Sequence, residues 1–266
     1  MREPISACII ACNEERNIRR CLESVRWCDE IVIVDSFSSD RTVEICREYT
    51  DRVVQHEWLG YIGQKNLIRG MARCPWVLFV DADEEVSPEL RDEILGQFST
   101  GIGPFAGFQF PRMVHYLGRW IRHGEWYPDI KLRLFKKELG RSEGQEPHDR
   151  VIVKGPVKTL KAPLHHYTYS GIWEHLETMN RFSTITAQAK YQQGERFRWR
   201  ELMFRPAWRF FKAYFLKGGL LDGPPGLVIA LVSTFGVYMK YAKLWELQQQ
   251  AEAPAAPRPH GKDGPL

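Results

Sequence analysis

Short apolar runs separated by polar loops fill the first third of the chain. Ile5 to Ala11 is continuously apolar and ends at Asn13-Glu14-Glu15, after which Ile18, Cys21, Leu22 and Val25 recur at helical spacing. The unit repeats at once. Glu30-Ile31-Val32-Ile33-Val34-Asp35 reads as a buried strand, Ser36 to Asp40 as a polar loop, and Arg41 to Tyr49 as a helix with Asp40 or Thr42 as its cap. A third strand over 52–55 leads to a helix over 60–71, and Trp76 to Val80 forms a fourth strand that stops at Asp81-Ala82-Asp83. Successive β-α units predict a parallel, doubly wound sheet.

From Pro104 to Val153 the pattern turns β-like and irregular, with runs at Gly107 to Phe110, Lys131 to Phe135 and Val151 to Val153. This predicts a mixed half that receives a second substrate. Helical spacing returns from Gly171 to Ala189, followed by an Arg- and aromatic-rich stretch, a Gly/Pro break over 218–226, an apolar run and a Pro/Ala-rich end. The expected division is therefore 1–100 and 101–195 as the two halves of one α/β domain, 196–250 as helices, and 251–266 as a disordered tail.

Composition narrows the class. The 266 residues suffice for one full core with an extension, and 44% hydrophobic with 26% charged residues excludes disorder, collagen and a multi-span membrane protein. A net charge of +4 is too small to argue for nucleic acid. All six cysteines lie between Cys8 and Cys74 without paired C-x-x-C spacing, as expected of buried thiols in a reducing compartment. The N-terminus lacks a long apolar segment and a small-residue cleavage site, so the expected location is cytoplasmic.

In open α/β sheets ligands bind beyond the carboxyl ends of the strands, where Asn13, Asp35, Asp81 and Asp83 would gather. Carboxylates there suit Mg²⁺ or Mn²⁺, which prefer hard oxygen ligands and stabilise a departing diphosphate. The same acids also have structural uses. Asp83 with Glu84, Glu85, Ser87 and Pro88 could open a helix, Asp35 could stabilise its own turn, and Glu14 could favour a helix N-terminus.

Taken in order, Ile9-Ile10-Ala11-Cys12-Asn13-Glu14, Ile33-Val34-Asp35-Ser36-Phe37-Ser38-Ser39-Asp40, Gly63-Gln64-Lys65-Asn66 and Val80-Asp81-Ala82-Asp83-Glu84 resemble the family 2 glycosyltransferases. The resemblance implies a GT-A fold, Rossmann-like with a mixed central sheet, and transfer with inversion at the anomeric carbon. It implies a nucleoside diphosphate sugar, a UDP-sugar in the first instance, held by Ala11, Asn13, Glu14, Asp35 and Lys65. Asp81 would lie near the ribose and Asp83 on the metal. The chain departs from the common pattern in having Asp-Ser-Phe-Ser-Ser-Asp where many members carry two acids and a glycine, and Lys65 where arginine is frequent.

Downstream, Trp126-Tyr127-Pro128-Asp129, Lys131 to Lys137 and Glu146-Pro147-His148-Asp149 resemble the branch that includes lipopolysaccharide-core β-glucosyltransferases. Inverting transfer needs a carboxylate to remove the acceptor hydroxyl proton. Asp149 is the candidate base, although the branch more often has glutamate there. His148 would orient the base or contact phosphate, and Asp129 is the fallback base. In His165-His166-Tyr167, His166 is a candidate ligand for the metal or the diphosphate.

Between Arg196 and Lys217, seven cationic residues interleave with eight aromatic ones, a composition suited to an anionic headgroup layer. The apolar run 226–239 is shorter than the ~20 residues of a crossing helix, which predicts a shallow or re-entrant insertion. The function expected is transfer of a hexose, glucose by the resemblance, to a lipid-linked saccharide such as lipopolysaccharide core at the cytoplasmic face of the membrane. A transferase acting on polyprenyl phosphate and a non-catalytic nucleotide-sugar-binding scaffold are the alternatives. A nucleotidyltransferase is disfavoured because Ala11-Cys12-Asn13-Glu14 is acidic where a basic phosphate loop is needed.

Overall fold

The computed structural model describes residues 2–146 and 148–252, with the side chains of Gln145, His148 and Glu252 outside the description. The stretch expected to be a disordered tail falls, from 253 onward, outside the described residues. The chain divides into two compact units, Met1–Ser170 and Gly171–Leu266.

The first unit opens with the expected alternation: β1 (Ile5–Ala11), α1 (Ile18–Ser24), β2 (Glu30–Asp35), α2 (Thr42–Arg47), β3 (Val53–Gln55), α3 (Gly60–Met71) and β4 (Trp76–Asp81). It continues through β5 (Glu84–Val86), α4 (Pro88–Thr100), β6 (Gly107–Tyr116), β7 (Arg119–Trp120) and β8 (Asp129–Lys136). It closes with β9 (Gly140–Gln145), β10 (His148–Val153), β11 (Val157–Thr159) and β12 (Leu164–His166). The sheet order is β3-β2-β1-β4-β8-β6-β12-β5, with β7 and β11 also pairing β6. The first four strands run parallel, whereas β8 lies antiparallel to both β4 and β6, and β12 parallel to β6.

Burial explains the composition of the strands. β1 and β4 have helices on both faces, so Ile5, Ala7, Ile9, Trp76, Leu78 and Val80 fill one core while Cys8, Val77 and Phe79 fill the other. Helix α4 starts where Ser87 accepts a hydrogen bond from the Leu90 amide at 3.1 Å and Pro88 occupies the first turn. Antiparallel β8 places its first residue, Asp129, at the edge of the sheet where β1, β2 and β4 end. The last residue of β12, His166, reaches the same edge.

The second unit contains α5 (Ile172–Gln192), α6 (Trp199–Phe211), a π turn over Lys212–Leu216, a 3-10 turn over Gly219–Asp222, and α7 (Gly223–Glu252). Helices α5 and α6 pack along α7 around Ala187, Leu202, Tyr241 and Leu244. This grouping puts the division after Ser170 and not at the expected 195/196, because the buried face of α5 packs on α7.

The apolar run 226–239 is only part of the 30-residue α7, which corrects the length estimate. With the preceding turn, Gly219–Ala251 is long and apolar enough to cross a membrane by length and composition. Lysines follow the apolar run, but Lys243 is satisfied within the unit. Its Nζ lies 2.6 Å from Asn180 Oδ1, 2.6 Å from Thr184 Oγ1 and 2.9 Å from Ser183 Oγ, so the helix continues past it.

Candidate active site

The loops after β1 and β2 are knitted to each other. Asn13 adopts a left-handed conformation (φ 56°), tolerated by asparagine, and its Oδ1 accepts from the Ser39 amide at 2.8 Å. The Asn13 amide donates to Ser38 Oγ at 2.8 Å, and the Glu14 amide to Thr42 Oγ1 at 2.8 Å. Asp35 is fully buried, and its carboxylate accepts from the Ser38 amide (2.9 Å), the Ser38 hydroxyl and Gln55 Nε2 (3.2 Å). Its oxygens are turned into its own loop, the turn-stabilising use of this residue type. Ala11, paired with Asp35 in register, is buried at the end of β1.

The motif on α3 clasps three elements. Gln64 Nε2 donates to Ser36 Oγ at 2.8 Å, tying the helix to the loop after β2. Asn66 donates to the Ser142 carbonyl at 2.9 Å and accepts from the Ser142 amide at 3.0 Å, mimicking a backbone pair and holding the β9–β10 hairpin against the helix. Glu146 accepts from the Ile62 amide at 2.8 Å, satisfying an otherwise unpaired donor in the first turn of α3. Between these anchors Lys65, almost fully buried, reaches Asp149 Oδ2 at 3.0 Å and Asp81 Oδ1 at 3.4 Å. Ser142 Oγ donates to the same Asp149 oxygen at 3.1 Å.

From Asp81 the charges continue inward. Arg133 pairs with both Asp81 and Glu84, the latter at 2.8 Å. Arg112 reaches Glu84 at 3.3 Å and Asp129 at 2.8 Å, and Lys131 pairs with Asp129 at 3.0 Å. Burial would raise the Asp81 carboxyl, but Arg133 and then Lys65 outweigh it and hold Asp81 well below the usual carboxylate range. Asp129 follows the same logic: burial works upward, and Arg112 followed by Lys131 brings it below its ordinary value. Lys65, Asp81, Arg112, Lys131, Arg133 and Asp149 line one cleft of about 550 Å³.

Asp83 does not start the helix, since Ser87 is the cap. Its carboxylate instead faces His166, with Oδ2 3.0 Å from Nε2. Among the described residues no group of three or more His, Cys, Asp or Glu side chains could hold a metal, so the protein itself offers these two donors. The Asp83 oxygen is a hard donor and the His166 ring nitrogen a softer one. Octahedral ligands at 2.0–2.1 Å stand about 2.9 Å apart at right angles, near the spacing of these two atoms. His166 Nδ1 is buried without a hydrogen-bond partner, which leaves Nε2 as the nitrogen with a defined role.

The structure thus brings Lys65, Asp81 and Asp149 into one cluster, Asp83 and His166 into a pair, and Asp129 into contact with the cluster through Arg112. Asn13, Glu14 and Asp35 build the loops after β1 and β2. The side chain of His148 lies outside the described residues. Sequence reading did not assign Arg112, Arg133, Gln64, Asn66 or Ser142. The available signal was Lys131-Leu132-Arg133-Leu134, in which charges alternate with apolar residues inside a strand of a largely buried sheet.

The model of the family described as glycosyl transferase family 2 matches residues 6–152. The lipopolysaccharide core biosynthesis glycosyltransferase LpsC of Rhizobium meliloti is 30% identical over 253 residues, covering 90% of this chain and 93% of its own. An uncharacterized glycosyltransferase of Rickettsia typhi, RT0209, is 31% identical over 256 residues, covering 91% of this chain and 87% of its own. Among solved structures, residues 1–349 of S. aureus TarS in complex with UDP-GlcNAc superpose with a TM-score of 0.49 at 16% identity, covering 93% of this chain and 92% of that one.

Proposed function

The chain belongs to glycosyl transferase family 2 and is a glycosyltransferase of GT-A architecture, and from that premise we propose that it is an inverting, divalent-metal-dependent hexosyltransferase. The donor in this reading is a UDP-hexose, UDP-glucose first, and the acceptor a lipid-linked saccharide of the lipopolysaccharide-core type. The observation that carries the reading is the Lys65 bridge between Asp149 and Asp81 beside the Asp83–His166 pair, all at the carboxyl edge of the parallel strands.

Asp149 is the base. It shares one cation with Asp81, whereas Asp129 is gripped by both Arg112 and Lys131, which hold its carboxyl low and make it a weak proton acceptor. With Ser142 Oγ and Lys65 fixing its oxygen, Asp149 takes the acceptor hydroxyl proton as the new glycosidic bond forms and the bond to the diphosphate breaks on the opposite face. With Asp149 acting as base and no water or protein nucleophile taking part, the transfer in this reading is a single displacement, which inverts the anomeric carbon.

Lys65, Arg112, Lys131 and Arg133 pair with Asp81, Glu84, Asp129 and Asp149, and Arg150 adds a further cation to the same cleft. Beside this network Asp83 with His166 would hold Mn²⁺ or Mg²⁺. When bound, the ion supplies Lewis-acid stabilisation of the leaving diphosphate.

A monotopic site at the cytoplasmic membrane surface completes the reading. Helix α6 exposes Phe204, Trp208 and Phe211 beside Arg205 and Arg209, the make-up of a helix lying in a headgroup layer.

The test is to incubate the purified chain and Mn²⁺ with UDP-, GDP- and dTDP-sugars plus membrane lipid extract, with Asp83→Ala as control. Nucleoside diphosphate release from one donor, dependent on lipid and lost in D83A, is expected. Intact donor binding without release from any donor would favour a scaffold instead.

A further inference from the structure

A second hollow of about 310 Å³ shares Arg112 with the charged cleft. Its walls include Arg112, Glu125, Trp126, Asp129, His166 and Tyr169. The indole of Trp126 is partly exposed and has two tyrosine rings against it. Buried Tyr116 meets it edge-on at 5.2 Å between centroids, and Tyr169 flanks it at 5.9 Å with the rings inclined at 40°. Two aromatic neighbours restrict the indole, which contributes apolar surface to the hollow. Around that face stand a guanidinium donor, Arg112, and two carboxylate acceptors, Glu125 and Asp129.

We propose that this hollow binds one pyranose ring, stacked on Trp126 with its hydroxyls directed to the Arg112, Glu125 and Asp129 rim. A pyranose presents axial C–H bonds on its faces and alternating donor-acceptor hydroxyls around its edge, which is the complement of an aromatic floor with a mixed polar rim. Strand order argues against a nucleobase on the indole. In the reading above the nucleoside lies over β1–β2, while β6 and β12, which contribute Arg112 and His166, lie on the far side of β4. With β8 and then β6 following β4, β6 stands about 10 Å beyond it at the usual strand spacing. His166 lines the hollow and touches Asp83, so a ring seated there adjoins the proposed diphosphate position. That ring belongs either to the acceptor saccharide or to the hexose being transferred. The inference rests on the glycosyltransfer reading given above.

Trp126→Ala and the conservative Trp126→Phe are compared with the unaltered chain, using the donor found in the panel and the lipid-extract acceptor. W126A is expected to raise one KM on the order of tenfold, the size of a lost aromatic contact, and W126F to restore most of it. A rise in acceptor KM assigns the ring to the acceptor, and a rise in donor KM assigns it to the transferred hexose. Saturation-transfer NMR with methyl α- and β-hexopyranosides gives a second reading that is independent of turnover. Transfer to the glycoside in the unaltered chain, lost in a W126A protein with an unchanged circular dichroism spectrum, is expected. Unchanged KM values for both substrates together with no saturation transfer overturn the subsite while leaving the transferase reading intact. Absence of turnover in the unaltered chain would strike at that reading instead.

Discussion

Lys65 joins the carboxylate that ends β4 to the one on β10, and this single ammonium couples the donor side of the cleft to the proposed base. Replacing Asp149 by Asn keeps the Ser142 hydroxyl contact feasible but removes the proton acceptor. Single-turnover assays should then show kcat lower by about 10²–10⁴-fold, the usual worth of a positioned general base, with UDP-sugar affinity nearly unchanged. Asp129→Asn should keep most of the activity, and the reverse ranking of the two variants would move the base to Asp129. Asp83 and Lys65 could be proposed from the sequence because they sit in an ordered set of motifs, Asp149 from the Glu146-Pro147-His148-Asp149 segment and His166 from its histidine pair. Arg133 and Arg112 could not, since their meaning depends on β8 returning antiparallel between β4 and β6, a long-range pairing with no local signature. Asp35 illustrates the converse: its motif suggests a ligand contact, but the Ser38 amide and hydroxyl, three residues on, occupy its oxygens.

At the level of elements, the apolar runs that became β1, β2 and β4 were legible because strands covered on both faces must be continuously hydrophobic. The mixed half was legible only as β-like. The β9–β10 hairpin alternates weakly and owes its place to Asn66 on α3. Helix α5 was found, but its allegiance was not, because its buried face is small and only partly apolar: His175, Ser183 and Ala187. That face carries a pH signature. Burial pushes the His175 imidazole down to about 4 from its ordinary 6.5. Between those values the unfolded chain binds a proton that the folded helix refuses, so stability is fully present above pH 6.5 and falls as pH drops toward 4. Thermal melts followed by far-ultraviolet circular dichroism should show the midpoint falling across that window, and His175→Gln should flatten the slope. An H175Q protein whose midpoint falls as steeply as the parent's would reject the assignment.

For the molecule as a whole, the proposed monotopic arrangement has a rival, because length and composition alone permit α7 to cross a membrane. Its neighbours argue otherwise. One face of α7 is committed to α5 and α6 through Tyr241 and Leu244, and α5 exposes Glu174, Glu177 and Arg181 to its surroundings. Charged side chains at bilayer depth cost several kcal/mol each, so a crossing α7 would have to abandon α5 or carry those charges into hydrocarbon. An in-plane helix avoids both. Its outer stripe, Leu227, Leu231, Phe235 and Tyr238, recurs at helical spacing and can lie in the acyl boundary alongside Phe204 and Trp208 of α6, while α5 stays in water. The two arrangements differ in where the C-terminal end of α7 emerges. In a Gln250→Cys variant, an impermeant maleimide applied to sealed inverted vesicles should label the introduced thiol and the exposed Cys12 alike, since both lie on the catalytic side. Labelling of Cys12 with the introduced thiol protected until detergent is added would establish a crossing helix and refute the monotopic arrangement.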